Sequence, residues 1–426
     1  MNLHFGLGIL IFIVSFYFIV SEKIAPVWAA LFGGMLMVIT GIINEHQAFE
    51  AVAKNLEIIF LLMGMMIIVN VIAETGLFQW FAIKIAQLVK GEPFALLALL
   101  AILTGVFSAF LDNVTTILLM APVSILLASQ LKIDAFPFLM AEIMASNIGG
   151  AATLIGDPPN LIIASEARFK FIHFLNHMAP IAIINLIIII FIFYFLFGKK
   201  MQVSRDLRAR IMQLDASKAL KNPKLVKQAL SIFFIVILGF LTDSFFHKGL
   251  AVIAVSGSVF LCILIKKNPH ETLKEVEWDT LLFFIGLFIL VKGIEELKII
   301  DMIGNHIVSI SDGSSKISTM IVLWFSTLST AIIGNVSHTV TFAKVIHVIE
   351  PYFLDISDRG LWWALSMGAC FGGNATLVAS AANIIAIGVS KKSGRKISFF
   401  EFIKYGMPIT ILSILVSTVY IFLRYL

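Results

Sequence analysis

Two short stretches gather carboxylates, amides and hydroxyls inside otherwise apolar sequence. The first runs through Asp112-Asn113-Val114-Thr115-Thr116. The second, Ser146 to Asn160, holds Gly149-Gly150, Thr153 and Asp157-Pro158-Pro159-Asn160. A carboxylate in hydrocarbon costs several kcal/mol unless it faces a cavity or a partner, so each acid marks either a polar site or a locally satisfied loop. Gly-Gly lets backbones approach closely. Pro-Pro opens a new half-helix, with Asp157 placed to cap it. Exposed carbonyls and carboxylates at such a break suit cations, and positive helix N-termini suit anions. A matching set follows later in the chain: Gly334, Asn335, Ser337, His338 and Thr339, then Gly372, Gly373, Asn374, Thr376, Ser380 and Asn383. The inferred site is asymmetric, acidic on the first side and rich in amides and hydroxyls on the second.

The elements that must carry these residues are membrane helices. Of 426 residues, 59% are hydrophobic and only 13% charged. A soluble fold of this size cannot bury so much apolar surface, whereas a bilayer can. Crossings are expected over 4–21, 24–44, 55–75, 176–198, 228–246, 249–266, 280–298 and 402–424. Residues 136–165 and 360–390 read as broken helices, and 93–130 and 316–348 as re-entrant hairpins with the polar clusters at their tips. The fold class is therefore all-α and polytopic, with about ten transmembrane helices. The apolar run at 5–20 has no basic flank or small-residue cleavage pattern and reads as a true span. Basic residues crowd 199–227 and 391–396, which places both loops in the cytoplasm of an inner membrane and both termini outside. Cys262 and Cys370 read as buried hydrophobes, and no Cys/His cluster has metal-site spacing.

The chain repeats itself. Asn55–Phe78 lies over Glu277–Ile300, with Gly64 over Gly286 and Glu74 over Glu296, an offset of 222 residues. The same offset puts Asp112-Asn113 over Gly334-Asn335, and one residue later in phase Asp157 lies over Ser380 and Asn160 over Asn383. Each copy crosses an odd number of times, so the copies are inverted, as in secondary transporters. The expected division is a first repeat at 1–198, a basic linker at 199–227 and a second repeat at 228–426. Several further groups carry two readings. His338 either exchanges protons or is a hydrogen-bonded tip residue. Lys344 either stands near the site or pairs with an acid at the outer face. Lys292, Glu295 and Glu296 form an intramembrane or an interfacial network. Glu142 is a proton carrier or a partnered structural acid, and part of 199–227 is a surface-lying amphipathic helix or a solvated connector.

FLDNVTTILLMAP at Phe110–Pro122 and SNIGGAATLIGDPPNLII at Ser146–Ile163 resemble signature segments of the ion transporter superfamily. They look closest to the branch of arsenite/antimonite exporters, NhaD-type sodium/proton antiporters and the melanosomal P protein. FGGNATLVASAAN at Phe371–Asn383 and Lys404–Tyr425 are similar to that branch in the second half. The resemblance covers essentially the whole chain and implies a scaffold and a transport domain, a homodimer and an elevator movement. It implies binding residues Asp112, Asn113, Thr115, Thr116, Gly150, Thr153, Asp157 and Asn160, with Asn335, Ser337, Gly373, Asn374, Thr376 and Asn383; the residues themselves add His338 and Ser380. Gly334 departs from the acid common at the second tip, which weakens a two-carboxylate sodium site, and neither tip has the Ser-Asn-Thr of dicarboxylate symporters. The leading expectation is proton-coupled efflux of an arsenite/antimonite-type oxyacid. Sodium/proton antiport, with sodium at Asp112, Asn113 and Asp157, comes next, then uptake of a citrate-like organic anion. A passive channel and an enzyme are disfavoured. No cofactor is expected beyond the coupling ion, H+ or Na+, and a cytoplasmic ATPase subunit is a partner known for some arsenite exporters.

Overall fold

The structure, a computed structural model, describes residues 3–246, 248–353 and 359–426. Among them every regular element is helical. Eight helices are long and apolar enough to cross a membrane. Helix starts at Leu56, Leu77, Pro93 and Asn113 recur at Trp278, Ile299, Ser315 and Asn335, each 222 residues on.

The two copies interlock crosswise. Helix Pro26–Ile39 packs along Trp278–Glu296, and Leu250–Ile265 packs along Leu56–Glu74. The approach is backbone to backbone. A Cβ on Gly286 would fall 2.4 Å from the Leu31 amide, and one on Gly64 would fall 2.7 Å from the Ala254 carbonyl carbon. These glycines are the equivalent pair found by the repeat, so the same contact is built twice.

Each hairpin is two helices joined by a two-residue or one-residue tip: Pro93–Phe110 with Asn113–Leu131, and Ser315–Ile333 with Asn335–Ile349. The arms that are long enough to span by length alone turn back at these tips. Beside them run the broken helices, Phe136–Ala151 then Pro158–Ala167, and Gly360–Gly372 then Ala381–Lys392. Each break is stapled to its own hairpin. The Thr153 hydroxyl donates to the Ala109 carbonyl, and the Thr376 hydroxyl donates to the Ala331 carbonyl at 2.6 Å.

Three expectations need correction. The helix expected over 24–44 ends at Ile39, because Gly41 turns the chain at φ +72° and Asn44 opens a separate helix, Glu45–Lys54, with a reciprocal bond to Gln47. The span expected over 228–246 starts earlier: its helix begins at Pro223, where Asn222 accepts from the Leu225 amide. Within the linker, helix Arg205–Met212 buries Ile211 and packs on Asn113–Leu131, so it is docked on the protein.

Both basic stretches lie on one face of the bundle. Gln87 donates to the Leu214 carbonyl at 2.6 Å, and the Lys221 amide donates to the Thr75 carbonyl at 3.0 Å. Arg395 pairs with Asp134, just past the first hairpin, at 3.5 Å and with Glu401 at 2.6 Å. On the same face Lys267 binds Glu74 at 2.5 Å and Glu275 at 2.8 Å; burial alone would lower its pKa, but these bonds carry it upward. Lys344 pairs with Glu166 at 2.5 Å on the opposite face, and Lys292 with Glu296 at 2.7 Å and Glu295 at 3.4 Å.

Candidate transport site

Four helix N-termini meet where the tips touch the breaks. The helices begin at Asn113, Pro158, Asn335 and Ala381, and the residues before them are Asp112, Asp157, Gly334 and Ser380. Each terminus carries a partial positive charge, and all but the end at Pro158-Pro159, which has no N–H at its first two positions, also present first-turn N–H groups. In the first repeat both ends meet an acid. In the second they meet a glycine at φ +83° and a hydroxyl.

The two acids divide their work differently from the sequence expectation. Asp112 is the cap: its Oδ1 accepts from the Thr115 amide at 2.8 Å. Asp157 stands at a cap position but makes no capping bond. Its Oδ1 accepts instead from Asn113 Nδ2 and Asn335 Nδ2, both at 3.2 Å, and its Oδ2 lies 3.4 Å from Asn335 Nδ2. Asp157 is fully buried and takes one amide from each repeat, so its carboxylate belongs to both hairpin tips at once.

A cavity of 270 Å³ opens beside these groups and is lined by Asp112, Asn113, Asp157, Glu277, Asp279 and Asn335, with Phe283, Phe284 and Met66 as its apolar wall. No Lys, Arg or His is among the described residues lining it. Glu277, which precedes helix Trp278–Glu296, receives the Thr115 hydroxyl at 3.5 Å and the Thr280 hydroxyl at 3.2 Å. The C-terminal end of that helix, at Glu295 and Glu296, lines a separate cavity of 1180 Å³ together with Glu166, Lys344, His347 and Arg359. Nineteen residues separate the ends, roughly 27 Å of helix, so the two cavities open toward opposite faces. The acidic one lies toward the face that carries the basic loops.

Other expected site residues turn inward to brace the breaks. Asn160 Nδ2 lies 3.2, 3.3 and 2.8 Å from the carbonyls of Gly150, Ala151 and Thr153, while its Oδ1 accepts from Ser366 at 2.9 Å and from the Cys370 thiol at 3.3 Å. Asn383 repeats this on Gly373 and Thr376 at 2.7 and 2.9 Å. Asn374 donates to the Met144 carbonyl at 3.3 Å. Gly373 lies beside the Asn147 side chain, and a Cβ there would crowd the Cys370 carbonyl at 3.0 Å. Thr116 and Ser337 are buried beside the tips. His338 stands apart from the cavity, packed on Phe342 with ring centroids 5.0 Å apart. Glu142 is buried against the Ser124 hydroxyl, also away from the tips.

Residues 16–368 match the family model described as citrate transporter. The chain belongs to the citrate transporter family. It is a multi-pass membrane transporter. A 46 kDa membrane protein of Mycobacterium leprae is 38% identical to it over 99% of both chains. An uncharacterized transporter of Mycobacterium bovis is 35% identical over 98% of both. The human P protein is 29% identical over 95% of this chain and 58% of its own. The crystal structure of the Alcanivorax borkumensis YdaH transporter, titled as revealing an unusual topology, shares the fold with a TM-score of 0.59 over 87% of this chain and 86% of that one, at 13% identity.

Two residues of this family member escaped sequence reasoning. Glu277 looked like the start of an apolar helix, and only the repeat alignment put it opposite Asn55. Asn147 looked like one more polar residue before Gly-Gly. Its Nδ2 lies 2.8 Å from Asn374 Oδ1 and 3.0 Å from Asn383 Oδ1, and its Oδ1 accepts from Ser380 at 3.0 Å and Asn113 at 3.3 Å. The signal was its position, 223 residues before Cys370, in a repeat that keeps its polar residues in register.

Proposed function

We propose that this transporter carries a citrate-like carboxylate anion, coupled to a proton or sodium ion bound at Asp157. The observation that carries the reading is the asymmetry of four equivalent positions. Asp112 and Asp157 cap or face the first-repeat N-termini, while Gly334 and Ser380 leave the second-repeat N-termini without an acid. The acidic half suits a cation, and the two uncompensated helix ends suit a substrate carboxylate. Binding the cation first neutralises the acids that would repel the anion, which makes transport of one depend on the other. Family membership supports the substrate class.

A second reading, sodium/proton antiport, is favoured by the acidic cavity lacking any basic group among its described lining residues. Oxyacid efflux, first in the sequence ranking, drops to third, because the cavity offers carboxylates where a neutral trihydroxy solute needs balanced donors and acceptors. The positive-inside rule makes the face with the basic loops cytoplasmic, so the acidic cavity is the cytoplasmic mouth. A homodimer working by an elevator movement fits the scaffold and hairpin division; nothing in the proposed coupling calls for an ATPase subunit.

The deciding assay uses proteoliposomes with imposed proton or sodium gradients. Labelled citrate, labelled arsenite and, through a pH-sensitive dye, sodium or lithium are offered in turn. Gradient-driven citrate accumulation supports the first reading. Proton movement on sodium addition with no citrate uptake supports the second. Arsenite movement alone reinstates the third.

A further inference from the structure

The amides around Asp157 form a chain whose polarity is set at its far end. Carbonyl oxygens can only accept. The carbonyls of Gly373 and Thr376 therefore hold Asn383 with its Nδ2 toward them, at 2.7 and 2.9 Å, and leave its Oδ1 facing Asn147. That oxygen needs a donor, so Asn147 presents Nδ2 to it at 3.0 Å and Oδ1 to the other side. The Oδ1 in turn needs donors, and it receives Ser380 Oγ at 3.0 Å and Asn113 Nδ2 at 3.3 Å. Asn113 thus turns its amide nitrogen, not its oxygen, toward Asp157 at 3.2 Å. Asn147, Asn160 and Asn383 are fully buried, so water cannot substitute for these partners.

We infer that Asn147 is a positioning residue: through the Asn383–Asn147–Asn113 chain, the helix break of the second repeat fixes a hydrogen-bond donor on the coupling carboxylate of the first. This rests on the reading of Asp157 as the coupling group. The equivalent position in the other direction is Cys370, whose thiol donates to Asn160 Oδ1 at 3.3 Å. A thiol is a weak acceptor and cannot relay orientation as an amide does, so the chain runs one way. A rearrangement of the second break, where the substrate carboxylate is proposed to bind, would reach Asp157 without any contact between substrate and acid. Coupling between the two ligands is then carried by these buried side chains rather than by a long-range movement.

The test uses Asn147→Cys, which places at 147 the residue the fold already holds at its equivalent position, and Asn147→Ala as a second variant. The full-length protein is purified in detergent, and its thermal unfolding is followed across the neutral pH range. Asp157→Asn identifies the pH step that belongs to Asp157. The titratable groups around that carboxyl among the described residues are Asp112 at the first tip, Glu277 and Asp279 at the scaffold helix and Cys370 on the second broken helix, while His338 at the second tip turns away to pack on Phe342. Freed from Asn147, Asn113 no longer holds its donor on Asp157, which favours the protonated acid. The step should move up by roughly one pH unit, the worth of about one weakened charge-assisted bond. Lower stability at every pH with an unmoved step, in both variants, overturns the inference and leaves Asn147 a packing residue. A step that persists in Asp157→Asn overturns instead the reading of Asp157 as the coupling group.

Discussion

Asp157→Asn separates coupling from folding. The substitution keeps shape and removes charge. Its new amide oxygen can still accept from Asn113 Nδ2 and Asn335 Nδ2, which lie 3.2 Å from the same oxygen. An NH2 replaces the Oδ2 that lies 3.4 Å from Asn335 Nδ2, so with the lost charge the equivalent of about one charge-assisted bond goes, on the order of 1.5–3 kcal/mol. Against this, a carboxylate no longer has to be held out of water, a relief of several kcal/mol per buried ion. The folded state should therefore be as stable as wild type or slightly more so. For a coupling cation about 4 Å from the carboxylate, the lost attraction is about 4 kcal/mol at an effective dielectric of about 20. That is nearly a thousandfold in affinity. In proteoliposomes the variant should fail to accumulate labelled citrate against its gradient, while citrate exchange between equal pools continues, because the neutral amide mimics the occupied acid. Thermal unfolding of the purified protein checks that it is folded. Accumulation within twofold of wild type, at equal folded protein, would refute the assignment of coupling to Asp157.

Ser380→Asp puts an acid at the second of the two second-repeat N-termini, where the extended backbone at φ −146° accepts it without strain. It should abolish citrate uptake while the protein still folds, read by transport and thermal unfolding together. Asp112→Asn keeps a capping side chain, so it should fold normally and raise the cation concentration for half-maximal transport by about tenfold, less than Asp157→Asn, since Asp112 already spends one oxygen on Thr115. Thr153→Val and Thr376→Val each leave a buried carbonyl, Ala109 or Ala331, without its hydroxyl. Each should cost about 1–3 kcal/mol in denaturant unfolding, and the two costs should match because the contacts are equivalent.

Apolar length, Gly-Gly, Pro-Pro and the 222-residue offset were enough to place the hairpins, the breaks and most of the polar residues around them. These features are local, or repeat locally, and each has a direct backbone consequence. What escaped was which polar group faces which. Asp112 and Asp157 both precede a helix and look alike along the chain; only the contact with Asn335, 178 residues away from Asp157, shows that one is a cap and the other is not. Asn160 and Thr153 are in the expected place, but they point at the backbone of their own break and hairpin. Glu277 enters the site from a scaffold helix, and no local pattern announces a contact with Thr115, 162 residues distant. Span ends were misread for the same reason that helices are hard to bound, since Gly41 and the Asn44 cap interrupt an apolar run that hydropathy alone treats as continuous.

Duplication itself separates structural from ligand-handling positions. Where the two copies must make the same shape, the residues agree: Gly64 with Gly286 at the crossing of the scaffold helices, Thr153 with Thr376 at the staples, Asn160 with Asn383 at the braces. Three of the positions where they differ converge on one place. Asp112 faces Gly334, Asp157 faces Ser380 and Asn147 faces Cys370, and all but Gly334 take part in side-chain bonds within a few ångströms of Asp157 or of its partners. A symmetric pair of sites would treat both repeats alike and could bind two equal ligands. Breaking the symmetry at these positions, while the braces that hold them stay duplicated, gives a site with one acidic and one neutral half. In the proposed reading such a site distinguishes a cation from an anion by which half it occupies, and that is the physical requirement for coupling one to the other.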